Sequence, residues 1–353
     1  MRITFCFPSP DVARLRALDP DCDWRALQQG EEAWVLQGYL RLAQAGLPVE
    51  LAATPPDDGL VVFHGKHKRC LARELLGLKR AVIVAIRGDL GGSLAVADFE
   101  VVQNPTRADG RRGFFLPSWP QPGLQPRDER RPDRLGRISY KGYLDNLHPA
   151  FRNGNWESFL ESEHVDWDCD AVPFAHGNYD REALYWPDFR ATDAVLAVRP
   201  RGRSTRNKPA SKLYNAWHAG VPALLGPESA YQELRRSELD YLEVGSLTAA
   251  RAAVVRLREE PGLWRAMIEN GRRRAAEWTP AAVAGIWRTL LEETLPARAE
   301  RDRRPWGGCV PPLRRVTRAW ERLRWALLSR PDPFSRSAPP SAGSPATSSR
   351  VGK

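Results

Sequence analysis

At 353 residues the chain is long enough for two domains, and its 42% apolar content with thirteen Trp can fill a core in each. No apolar run approaches the roughly 20 residues of a membrane-spanning helix, and the five scattered cysteines (Cys6, Cys22, Cys70, Cys169, Cys309) have no C-x-x-C or paired spacing, which argues against a zinc site or a disulfide framework and fits a reducing cytoplasm. The net charge of +10 sits almost wholly in residues 296–353, where thirteen Arg/Lys face four Asp/Glu, so an anionic partner of the whole surface is to be sought at the C-terminus.

Residues 2–7 read as a first strand that ends at Pro8-Ser9-Pro10; their apolar run is too short for a signal peptide. Residues 31–45 carry apolar side chains at helical spacing and stop at Gly46. Residues 48–52 and 60–63 are short apolar runs, 71–76 look helical, and 81–86 and 99–102 read as buried strands. This alternation predicts an α/β domain with parallel strands over residues 1–115. Residues 114–132 are Pro-rich and then charged, which predicts a linker over 116–134. A second α/β pattern follows, with strands at 137–140, 164–167, 194–199 and 239–244 and helices at 156–162, 248–259, 262–277 and 280–293; residues 135–295 are expected to form the second domain.

The most informative stretch is residues 208–228, KPASKLYNAWHAGVPALLGPE. Pro209 suits a first helical turn, Ser211 suits a cap, Gly220 suits a left-handed stop, and residues 221–225 are a short buried strand. Two helix starts beside Lys208, Lys212 and the Gly226 turn suit an anionic phosphate. One more αβα unit with two solvated lysines is the alternative.

The pattern K-P-x-[SN]-K-L-x-x-A-x-x-A-G-x-P-A-x-x-G-x-E resembles the donor half of bacterial GT-B glycosyltransferases of the group 1 type. The resemblance covers residues 135–295 well and 1–130 in outline. It implies two Rossmann-like domains facing across a cleft, with a nucleotide-sugar bound on the second and the acceptor on the first. In that family the helix carrying EAMAAGxPV packs against the nucleotide-sugar, and its Glu binds the ribose; Asn215 stands there in this chain, with a different set of donors and acceptors. The resemblance also implies that Lys141 and Gly142 lie on a loop facing the donor phosphates and that Glu228 contacts sugar hydroxyls.

Ligands sit outside the carboxyl ends of parallel strands, and that rule ranks the candidates. Arg199, Arg201 and Arg203, with Lys208, form an expected basic rim that can neutralise a diphosphate leaving group without a metal; a solvated loop in an Arg-rich chain is the alternative. The expected donor site is Lys141, Gly142, Arg199, Arg203, Lys208, Ser211, Lys212, Asn215, Gly226 and Glu228. On the first domain His64, Arg87 and Asp89 fall at strand ends and are expected to face the acceptor. His64 and Asp89 are the candidate bases for an inverting transfer, whereas a retaining one needs no base. His64 can equally be a structural histidine and Asp89 a helix cap, and His218 is expected to pack or to reach solvent. No metal or other cofactor is expected; Asp168 and Asp170 are the fallback ligands should one be required.

The tail reads as two parts. Residues 313–330 form an expected amphipathic helix with Trp320, Leu323 and Leu327 on its apolar face and six arginines outside it. Such a helix suits an anionic membrane surface, or docking on the protein's own first domain. Residues 331–353 lack apolar bulk and are expected to be disordered. The expected function is transfer of a sugar to a glycan, lipid or small acceptor in the cytoplasm, with peripheral attachment to the membrane's inner face. A non-catalytic GT-B-like binding or scaffold protein at the membrane is the alternative. Specific nucleic-acid binding is not expected, because residues 1–295 are near neutral.

Overall fold

The computed structural model describes residues 1–28, 30–78, 80–172, 186–200, 202–303 and 320, the side chains of Arg203 and Ser204 excepted. Within them two all-parallel sheets form. The first contains β1 (Ile3–Cys6), β2 (Val49–Ala52), β3 (Leu60–His64), β4 (Val82–Gly88), β5 (Phe99–Val102) and β6 (Gly113–Phe115). Its order is β2-β1-β3-β4-β5-β6. Helices α1 (Val12–Arg16), α2 (Gln37–Gln44) and α3 (Ala72–Gly77) connect these strands. Strands β1, β3 and β5 are buried along their whole length, as near-continuous apolar runs require when helices cover both faces.

The second sheet contains β7 (Arg137–Tyr143), β8 (Asp166–Val172), β9 (Ala194–Ala197), β10 (Ala223–Leu225) and β11 (Leu242–Glu243), in the order β11-β10-β9-β7-β8. Its helices are α4 (Gly154–Ser162), α5 (Ser211–Ala219), α6 (Ser229–Leu234), α7 (Leu247–Glu259) and α8 (Pro261–Ala276). In both sheets the chain starts centrally, adds a strand on one side and then crosses to the other. This puts a topological switch point between β1 and β3 in the first sheet and between β7 and β9 in the second, where ligands of such sheets bind.

Two expectations about domain limits are corrected. Helices α9 (Pro280–Arg288) and α10 (Leu295–Arg303) leave the second sheet, and Val283, Trp287, Leu291 and Leu295 enter the core of the first. Residues expected in the second domain up to 295 thus complete the first. The segment expected as a linker over 116–134 is packed against both sheets. Trp119 is buried and stacks on Trp287 with ring centroids 6.5 Å apart. Further on, Arg127 Nε donates to buried Asp193 at 2.9 Å, Arg131 Nη2 does so at 2.8 Å, and the Arg137 amide adds a bond of 2.8 Å. A carboxylate buried this deeply needs such partners, and they fasten the linker to the second sheet.

No helix among the described residues is long and apolar enough to cross a membrane. The expected amphipathic helix of residues 313–330 lies outside the described residues except for Trp320, which is exposed. The tail of residues 331–353 lies outside them as well.

Candidate functional site

At the switch point of the second sheet three cationic side chains converge. Lys141 and Gly142 are not on a loop, as the resemblance implied, but inside β7 near its carboxyl end. Lys141 Nζ lies 3.8 Å from both Asp168 and Asp170 on the neighbouring edge strand β8. Burial pushes the Asp170 carboxyl up against the pull of Lys141. The two aspartates already share a fixed cation.

Lys212 sits in the first turn of α5, and its Nζ donates to the Lys141 carbonyl. Gly142 makes room for it. Its φ is 152°, and a Cβ there would stand 3.1 Å from Lys212 Nζ. Burial, and then repulsion from Arg199 and Lys141, push the Lys212 ammonium down to about 7. Among the described residues no carboxylate lies within ion-pair distance of it, whereas Arg199 is paired with Glu228 and donates to Tyr231 Oη at 3.2 Å. Burial works against the charge of Arg199, but Tyr231 and Glu228 more than offset it and hold the group above the ordinary arginine value. This half of the site is therefore a buried ammonium beside a helix N-terminus, flanked by two cations that have their own partners: an arrangement complementary to a polyanion.

Other expected donor residues are placed differently. Ser211 is the first residue of α5 and makes no cap bond, since Ala210 occupies the cap position. Pro209 precedes the helix instead of opening it. Gly220 does stop it in the left-handed region, at φ 68°. Asn215 Nδ2 donates to Gln121 of the linker, so part of its hydrogen-bonding capacity is already used. Gly226 follows β10, its amide bonded to Ala197 O at 3.0 Å, and packs against Val198. Glu228 caps α6 by position and faces Arg199. Arg203 lies in a 3-10 turn, Arg203–Asn207, with its side chain outside the described part of the chain, and Arg201 is outside it altogether. His218 Nε2 meets the Trp278 carbonyl at 3.2 Å.

Lys208 does not join Lys212. It crosses to the first sheet and pairs with Asp89. Burial raises Asp89, but Lys208 outweighs it and the carboxyl stays below its ordinary range. On the same sheet His64 ends β3 at the switch point, buried, with Nδ1 accepting the Lys66 amide at 3.3 Å. That bond leaves the proton on Nε2, which has no partner among the described residues and faces Gly88, where a Cβ would approach to 3.0 Å. Burial lowers His64 to about 4. The imidazole is thus neutral at pH 7, with its Nε2–H enclosed. Arg87 lies within β4, 3.2 Å from Glu100, and also donates to Leu90 O. It braces the loop that carries Asp89.

Sequence reasoning missed Asn104 and Gln121. Asn104 follows β5 in an Asn-Pro turn, a strand-end signal available to the carboxyl-end rule. Gln121 sits in the linker and has no local signal. Its role appears only through the contact with Asn215.

No protein-family model and no curated protein matches the chain by sequence. The solved structures do match. The sucrose-phosphate synthase of Thermosynechococcus elongatus aligns over 77% of this chain and 98% of its own, with a TM-score of 0.51 at 14% identity. Anabaena HepE, in complex with UDP and glucose, aligns over 83% and 99%, with a TM-score of 0.50 at 12% identity. The chain has the GT-B fold. In this GT-B chain Lys208 of the second half meets Asp89 of the first. Helices α9 and α10 return from the second half to the first.

Proposed function

We propose that the protein is a glycosyltransferase with a group 1-like donor half, moving a sugar from a nucleotide-sugar to a glycan, lipid or small-molecule acceptor. The observation that carries this reading is Lys212: an ammonium held beside Arg199 and Lys141 at the second sheet's switch point, with no carboxylate within ion-pair distance among the described residues. A diphosphate supplies the missing negative charge. Lys212, Arg199 and the α5 N-terminus stabilise the charge that develops on the leaving diphosphate. Asp89 stands ready once Lys208 turns to the phosphate. Calorimetry with UDP, other nucleoside diphosphates and a panel of nucleotide-sugars tests the reading, together with release of nucleotide on turnover. Micromolar binding of at least one is expected, and no binding by any of them refutes the proposal.

Metal independence belongs to the same reading, because fixed cations occupy the leaving-group side. Turnover is expected to survive EDTA. Loss with EDTA and recovery with manganese would implicate Asp168 and Asp170 instead. The protein is proposed to work in the cytoplasm, attached peripherally to the anionic inner face of the membrane through residues 313–330. A second reading, a non-catalytic binding or scaffold protein, is favoured by one observation: Asn215, at the ribose position of the resembled family, is bonded to Gln121. Binding of nucleotide-sugars without nucleotide release separates it from the first.

A further inference from the structure

One neutral side chain reaches across from the first half to two segments of the second. Asn104 lies on the first half at 1% exposure, and its Nδ2 shares its two hydrogens among three acceptors of the second half: Arg206 O at 3.0 Å, Lys208 O at 3.3 Å and Ser229 Oγ at 3.1 Å. Its Oδ1 faces the other way, accepting the Thr106 amide at 3.1 Å and the Thr106 hydroxyl at 2.8 Å. The amide is therefore used on both sides, one oxygen within its own turn and one nitrogen across the gap. The three acceptors belong to the two segments that frame the candidate donor site: the 203–209 loop, which carries Lys208 and leads into α5, and the first turn of α6, next to Glu228. The turn Pro105–Arg107 packs on α6, and Gly91 approaches the Asn207 amide, so the contact is continuous around this residue.

We propose that Asn104 is the latch of the closed state, a positioning residue that holds the 203–209 loop and the start of α6 against the first half. The Asp89–Lys208 ion pair crosses the same gap but is partly exposed, with side chains 42% and 21% accessible. Salt screens it, and an incoming phosphate competes with Asp89 for Lys208. Asn104 carries no charge and is itself buried, and its bonds across the gap are part-buried, so salt and an incoming anion act on it less. It keeps the halves together when Lys208 is drawn to a ligand, so closure does not depend on the charge that the ligand consumes. The inference concerns the closed geometry and stands apart from the identity of the donor.

The variant Asn104→Asp tests it. Its carboxylate retains the oxygen that caps Thr106 and replaces the crossing donor with an oxygen facing two carbonyls. Small-angle scattering of the full chain, without ligand, is expected to show a larger radius of gyration for Asn104→Asp than for the native protein. The difference is expected to widen from 0.1 to 1 M salt, as the remaining Asp89–Lys208 contact is screened, while the native protein stays compact across that range. UDP affinity is expected to fall about tenfold, the effect of one buried hydrogen-bonding group. Ser229→Ala removes a single acceptor and serves as the milder variant should Asn104→Asp fold poorly; a smaller expansion in the same direction is expected. Scattering curves that coincide with the native one at both salt concentrations, for folded Asn104→Asp, would overturn the latch. Loss of UDP affinity without expansion would also overturn it, because Asn104 would then act within its own turn.

Discussion

Replacing Lys212 with methionine is expected to stabilise the fold and to weaken UDP binding at the same time. The two effects have one cause. In the free protein the Lys212 ammonium is enclosed beside Arg199 and Lys141, which lowers it from 10.5 to about 7. Between about pH 7 and 10.5 the unfolded chain binds the proton that the folded chain has released. Stability therefore rises with pH across that window, and below about pH 7 the full cost of burying the charge remains. Methionine removes that cost, up to about 1.4 kcal/mol for each tenfold weakening of proton binding, and a higher urea midpoint at pH 6 is expected. A bound diphosphate reverses the balance by favouring the ammonium. Charge-assisted bonds contribute about 1.5–3 kcal/mol, so UDP binding by Lys212→Met is expected to be about ten- to a hundredfold weaker. In the native protein UDP affinity is expected to fall as pH rises above about 7, with uptake of a proton on binding at pH 8. Calorimetry in two buffers of different ionisation enthalpy measures that proton. A folded Lys212→Met protein with unchanged UDP affinity, or binding at pH 8 without proton uptake, removes Lys212 from the site.

Replacing Arg199 with alanine is expected to have the largest effect on stability. Its guanidinium is paired with Glu228 and bonded to Tyr231, with side-chain exposures of 9% for Arg199 and 10% for Glu228. Removing one partner of such a pair leaves the other charge buried and uncompensated, which costs about 3–5 kcal/mol. Burial already pushes Glu228 up against the pull of Arg199. The sign follows: a carboxyl raised in the folded state contributes stability below its unfolded value of 4.5 and loses it as pH rises through the folded value. Without Arg199 that rise is larger, so the deficit of Arg199→Ala is expected to be greatest at neutral pH and to shrink toward pH 4. The double variant Arg199→Ala with Glu228→Gln, which removes the stranded charge, is expected to recover part of the loss. Chemical denaturation of the three proteins at pH 7 checks this. A double variant no more stable than Arg199→Ala alone would locate the cost in packing. Arg199→Lys keeps the charge but not the planar fork, and is expected to fall between native and alanine.

Much of the frame was present in the sequence. Apolar runs too short for helices and too continuous for half-exposed strands fixed buried parallel strands at residues 60–63 and 81–86, and period and capping fixed the helices at 248–259 and 262–277. Gly220 stops α5 because a left-handed residue is needed there and glycine adopts it without strain. The carboxyl-end rule ranked His64, Asp89 and Arg199 as candidates because they stand at or just past the ends of parallel strands. Lys141 and Gly142 were misplaced onto a loop for a physical reason: a lysine ends an apolar run by local logic, because a buried ammonium needs a partner, and its partners Asp168 and Asp170 lie on another strand. The apolar stripe of Val283, Trp287 and Leu291 determined a helix but not its sheet, since either core would accept the same face. The partners of the charged and amide groups were decided by the tertiary structure alone. Lys208 meets Asp89 across 119 residues, and Asn104 reaches Lys208 across 104 and Ser229 across 125. Contacts over such separations leave no local pattern. Chain topology brings the groups together, and the cost of burying each polar atom unpaired then selects its partner.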